Sequence, residues 1–177
     1  MKIVLSQLAS VAEIVGAVAV VISLLYVGAQ VRDSARAVRS AAVNDANSSI
    51  QAWYLNVSNN RRLSQIWLDG LLSSEPLETY DEQQFQMAAQ AAFLGFQNSY
   101  LLAREGTLDE DVLRSITDAL LPTKDLPGMQ RYWRQRRGYF YADFADYIDA
   151  IFTGEATSDA VDVYRDGATT QPAAGPE

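Results

Sequence analysis

Apolar side chains follow two different patterns along this chain. From Ile14 to Val31 every residue is uncharged, and the apolar positions fall on all faces of a helix. Further on they recur at spacings of three and four. Val38, Ala42, Ala46, Ile50, Trp53 and Val57 form one such stripe. No Gly or Pro lies between Gly28 and Gly70, so the pattern predicts one helix running out of the apolar segment to about Ser58, with Asn59 and Asn60 supplying a turn and an N-cap.

The same period predicts further helices. A second carries Leu63, Ile66, Trp67 and Leu71 on its inner face and ends around Ser73-Ser74-Glu75-Pro76. A third opens with a capping box, Thr79 and Glu82, and continues through Phe85, Ala89, Ala92, Phe96 and Tyr100 to Gly106. Thr107 and Glu110 repeat the box before a helix with Val112, Leu113, Ile116 and Leu120 inside, closing at Pro122. Pro127 suits the first turn of a helix carrying Met129, Tyr132 and Trp133, and a last helix over 142–152 buries Phe144, Ile148, Ile151 and Phe152. No strand-like alternation or internal repeat is present. The expected fold is therefore all-α: an N-terminal transmembrane helix over 11–31 after a short segment 1–10, a small helical bundle over 32–153, and a flexible tail over 154–177 rich in Ala, Thr, Gly and Pro.

The membrane assignment rests on length. Eighteen residues from Ile14 to Val31 span roughly 27 Å as a helix, close to the ~30 Å hydrocarbon core, and Val11 and Ala12 extend it if Glu13 sits among headgroups. A cleaved signal peptide fits less well, since Lys2 is the only basic side chain before the run and no A-x-A site follows. A buried core helix is the other alternative. Arg32, Arg36 and Arg39 follow the span directly, so the positive-inside bias puts the C-terminal domain in the cytoplasm of a cell whose inner membrane the helix crosses once. Within the span Ala12, Gly16, Ala19, Ser23 and Gln30 share one stripe, where small residues allow close helix approach and Gln can bond across an interface.

Composition narrows the chemistry. The chain has neither Cys nor His, which removes disulfides, thiolate nucleophiles, the usual Ser–His triad and the commonest transition-metal ligands. Its net charge of −8 argues against nucleic-acid binding. Asp109, Glu110 and Asp111 read as acids complementing a helix N-terminus, without the ligand spacing of a calcium loop. No cofactor, metal or catalytic residue is expected.

Several segments carry a resemblance: Val11-Ala12-Glu13-Ile14-Val15-Gly16-Ala17, Val21-Ile22-Ser23-Leu24-Leu25-Tyr26-Val27, Gln30-Val31-Arg32, Ala37-Val38-Arg39, Glu105-Gly106-Thr107-Leu108-Asp109-Glu110, Gly128, Tyr132-Trp133, Phe140, Phe144 and Tyr147-Ile148-Asp149. Over roughly residues 8–152 the chain resembles a family of small uncharacterised bacterial membrane proteins with one N-terminal transmembrane helix and a helical soluble domain. The resemblance implies that layout and brings no activity, substrate or cofactor. Where the family tends to start its last helix with Ser-Pro, this chain has Tyr141-Ala142.

One segment invites a binding role. Arg131, Arg134, Arg136 and Arg137 are interleaved with Tyr132, Trp133, Tyr139, Phe140 and Tyr141, a set suited to lipid headgroups or a partner. The competing assignment is internal pairing with Asp143, Asp146 and Asp149 on the next helix. The functional expectation is a membrane-anchored helical interaction protein, an accessory subunit or scaffold that meets the lipid bilayer and either self-associates as a homo-oligomer or joins a larger membrane complex. The alternative is a peripheral lipid or stress sensor using the basic helix.

Overall fold

The computed structural model describes residues 2–154, with side chains at Glu13 and from Gly16 onward. Among them lie six α-helices and no strand: α1 Lys2–Asn59, α2 Arg61–Leu72, α3 Thr79–Arg104, α4 Glu110–Thr117, α5 Pro127–Arg136 and α6 Ala142–Thr153. Two 3-10 turns, Asp118–Leu120 and Arg137–Tyr139, follow α4 and α5. The fold is all-α, as the periodicity predicts. The expected tail, beyond Gly154, falls outside the described residues.

The chain divides into two compact units, Met1–Ala41 and Ala42–Glu177. In the first, every described side chain is exposed. Leu24, Leu25 and Tyr26 are 66%, 69% and 70% exposed, and the helix is long and apolar enough to cross a membrane. Val38, expected on the inner stripe of the domain, is also exposed at 54%, and burial along α1 begins at Ala42 and Ala46. The residues between the apolar run and Ala42 are mostly charged or small, and all are exposed.

The second unit has one core. Phe85, Ala89, Phe93 and Phe96 of α3 lie at its centre with Ile66 and Leu71 of α2, Tyr132 and Trp133 of α5, and Phe144 and Ile148 of α6. Phe93 stacks on Trp133 at 5.1 Å between ring centroids and meets Tyr132 at 5.2 Å and Phe140 at 5.9 Å. The last turns of α1 join through Trp53, whose Nε1 donates to Ala88 O at 2.8 Å, and through Ile50, packed over Gly95.

Two glycines fix the closest helix contact. A Cβ on Gly128 of α5 would stand 1.7 Å from Gly70 O of α2, and one on Gly70 would stand 2.3 Å from the Phe85 ring. The α2 and α5 backbones therefore touch, with Phe85 closing the third side.

The helix ends show where side-chain chemistry differs from the sequence pattern. Asn60 caps α2, its Oδ1 accepting from Leu63 N at 3.1 Å. Neither capping box forms. The N-cap of α3 is Glu78 and Thr79 is already helical, because Glu82 turns back to accept from Leu77 N at 3.0 Å. At α4 the cap is Asp109, which accepts from Asp111 N, rather than Thr107. Gly106 does end α3, at φ +72°: its N–H donates to Ala103 O and that of Thr107 to Leu102 O, the paired bonds of a Schellman motif. Pro127 opens α5, where its missing N–H loses nothing.

Adding one methyl at the α2–α5 contact should test this packing. Gly128→Ala is expected to destabilise the full chain by about 3 kcal/mol or more, as an overpacked backbone contact does, and Gly70→Ala by less because a ring can shift. Gly138→Ala, with nothing within 4 Å, serves as control. Urea unfolding followed by Trp fluorescence would rank the three, and equal midpoints would refute the contact.

Candidate functional site

The basic-aromatic segment is distributed over α5 and the 3-10 turn after it, and its four arginines have different fates. Arg131 points into the bundle and is 6% exposed. This corrects its expected place on a lipid- or partner-facing surface. One of its terminal nitrogens donates to Ser73 O at 2.7 Å, the other to Glu82 Oε2 at 3.2 Å, and the guanidinium lies 5.9 Å over the Phe85 ring. Its Nε is buried without a hydrogen-bond partner among the described residues.

Arg137 is half-exposed yet pinned. Its Nε donates to Asp149 Oδ2 and a terminal nitrogen to Asp146 Oδ1, each at 2.7 Å, and the Asp149 bond raises the guanidinium's pKa above its ordinary value. The other oxygen of Asp149 accepts from Trp133 Nε1 at 2.7 Å. Asp143 pairs instead with Arg104 at 3.0 Å, across both exposed side chains, where solvent screens the pair. Arg136 donates to Gln86 Oε1 at 3.3 Å and lies 5.1 Å over the Tyr139 ring. Arg134 is exposed. The segment is thus largely internal wiring, with Arg134 and part of Arg136 facing water.

Glu82 collects that wiring. Besides Arg131 and Leu77 N, it accepts from Gln86 Nε2 at 2.7 Å, and Gln86 reaches Gln135 at 3.4 Å. The groove above this network is lined by Gln83, Gln90 and Gln135 among others, and the side-chain oxygens of Gln90 and Gln135 accept from Tyr132 and Gln86. Sequence reasoning missed Glu82's role by treating it as a local cap. It also missed Lys124, 1% exposed, whose ammonium donates to Gly154 O at the C-terminal end of α6, where a cation complements the helix dipole.

The small-residue set is the other expected site. Gly16, Ala19, Ser23 and Gln30 are exposed on α1, and a Cβ at Gly16 would meet nothing within 4 Å. The side chain of Ala12 lies outside the described residues.

One concavity carries no polar network. A cavity of about 290 Å³ opens between the last turns of α1, α2, α3, the first 3-10 turn and Met129 of α5. Trp53, Trp67, Phe93 and Phe96 form much of its wall, with Trp53 set edge-on to Trp67 at 5.0 Å.

Two variants separate buried from exposed charge. Arg131→Gln should cost about 3–5 kcal/mol, since it strands the Glu82 carboxylate, while Arg134→Gln should change stability by less than about 0.5 kcal/mol. Equal melting temperatures would place Arg131 at the surface after all. Tyr132 gives a pH test. Burial raises its hydroxyl pKa well above the phenol range, with Arg136 opposing weakly. The folded state then keeps a proton that the unfolded state loses above about pH 10, so stability is full below that pH and falls as pH rises beyond it. Tyr132→Phe should flatten this alkaline limb in denaturation curves taken between pH 8 and pH 11. An unchanged limb would assign it to other groups.

Comparison of the chain with protein-family models, with curated proteins and with solved structures gives no match.

Proposed function

We propose that this is a membrane-anchored interaction protein of a bacterial cell, an accessory subunit or scaffold with no chemistry of its own. Its apolar helix crosses the inner membrane, and the unit from Ala42 onward works in the cytoplasm. The observation that carries the reading is the exposure of large apolar side chains along α1, with Val18, Ile22, Leu25 and Val31 at 52%, 61%, 69% and 62%. A helix apolar on every face needs apolar surroundings, and this one is long and apolar enough to cross a bilayer. Arg32, Arg36 and Arg39 beside it favour the cytoplasmic placement, and the resemblance of residues 8–152 to small bacterial membrane proteins accords with it.

An interaction role is favoured over a lipid-sensing one by how the two surfaces are used. The arginines a sensor would need are mostly engaged inside the bundle. Tyr80, Met87 and Leu94, in contrast, succeed one another two turns apart on α3 and are 84%, 61% and 49% exposed. The Gly16 to Gln30 stripe offers a second helix-docking face, within the bilayer.

Anchoring, orientation and assembly can be tested separately. The protein should stay with the membrane pellet through alkaline carbonate washing. Because the chain lacks Cys, Ser115→Cys supplies a single thiol, which a membrane-impermeant maleimide should reach only after the membrane is opened. Labelling of intact spheroplasts would reverse the orientation. Gentle extraction followed by native mass measurement should return a homo-oligomer or a stoichiometric complex with foreign subunits. A lone monomer, with no partner trapped by crosslinking in cells, would sink the interaction role.

A further inference from the structure

The cavity beside Trp53 and Trp67 has a wall with a definite chemical preference. No Asp, Glu, Lys or Arg lines it. Most of its polar groups are already used by the protein: Trp53 Nε1 donates to Ala88 O at 2.8 Å, Ser64 Oγ to Val57 O at 2.5 Å, and Thr123 Oγ1 to Leu120 O at 3.1 Å. A charged group placed here would lose its hydration and gain no ionic partner, whereas hydrocarbon would gain contact with rings on several sides.

Size narrows the ligand. An apolar cavity of about 150 Å³ stays dry and takes a benzene, so 290 Å³ has room for hydrocarbon on the order of ten carbons. Tyr54 and Ser58, both exposed, mark the open edge, where a polar head group stays in water. We propose that this cavity binds the single medium-length hydrocarbon chain of a free amphiphile, such as a fatty alcohol or another monoacyl compound. A phospholipid suits it less: it brings two chains and a charged headgroup, and the lining supplies room for one short chain and no counter-ion. Every lining residue belongs to the unit that begins at Ala42, so the site goes beyond the anchoring role and does not depend on it.

The test uses the full chain in its native membranes. Decanol carrying a diazirine on its chain is photolysed in one sample, and phosphatidylcholine with a diazirine in an acyl chain in another, and labelled peptides are mapped by mass. The decanol probe should label the peptides containing Trp53 and Met129. Unlabelled n-alcohols should compete about fourfold better per added methylene, referred to their free aqueous concentration, the gain expected of ~0.8 kcal/mol per buried CH₂. That gain should stop near ten carbons, where the cavity is full. Val57→Phe and Ala119→Phe each add bulk to the wall and should suppress this labelling, while labelling within 16–31 persists as a separate readout of the anchor. Absence of competable labelling at Trp53 and Met129 would overturn the site, as would labelling indifferent to both filling variants or competition that climbs past fourteen carbons without a limit. Equal labelling of the cavity by phosphatidylcholine would overturn the free-amphiphile assignment. If one filled variant fails to fold, the other and the wild-type chain-length series still decide.

Discussion

The backbone contact between Gly70 and Gly128 is the constraint on which the bundle's interior depends. Two helices can touch at main-chain distance only where neither carries a Cβ, and a methyl at either position would drive into main chain or a fully buried ring. The consequences follow at helical period. Three residues beyond Gly128 stands Arg131, and three beyond Gly70 stands Ser73, whose carbonyl that arginine reaches at 2.7 Å. Phe85 lies against Gly70, and three residues before it stands Glu82, the same arginine's second partner. One steric contact thus sets the register of α2, α3 and α5, and the charge pair occupies the next turn along all three.

That pair is not free stabilisation. Taking a guanidinium and a carboxylate out of water costs several kcal/mol per ion, returned only when the remaining hydrogen-bonding capacity is met. Here Glu82 is satisfied by Leu77 N and Gln86 as well as Arg131, and among the described residues Arg131 leaves only its Nε without a partner. Its side chain is 7% exposed and that of Glu82 17%. What the arrangement contributes is uniqueness. An apolar contact between three helices tolerates sliding, whereas a fork that must meet a carbonyl on one helix and a carboxylate on another does not.

The sequence pattern was legible where period and backbone restrictions dominate. Six helices, the Asn60 cap, the left-handed Gly106 and Pro127 at the head of α5 all follow from local rules. It was not legible where a side chain had a distant alternative. Glu82 is placed for a capping box with Thr79, but a buried cation from α5 and the amide of Leu77 compete for its oxygens. Arg131 belongs by spacing to a basic cluster, yet its neighbours at 58 and 49 residues' separation decide its direction. Gly70 and Gly128 gave no local sign at all, since neither turns the chain. Val38 continued the stripe by period alone, and period cannot say where the packing partner begins.

The two units face the same physical demand and meet it differently. In the first, the described side chains of α1 are all exposed, and the proposed bilayer crossing would cover them. In the second, α3 places Phe85, Phe93 and Phe96 inward and still carries Tyr80, Met87 and Leu94 outward. A helix apolar on opposite faces normally lies between two layers, and here the protein's own helices supply one. Scattered surface leucines need no explanation, whereas Tyr80, Met87 and Leu94 stand in line at two-turn spacing on the central helix, the feature on which the proposed interaction role draws. A net charge of −8 is compatible with such an exposed line, and the proposed interaction role would have another molecule cover it.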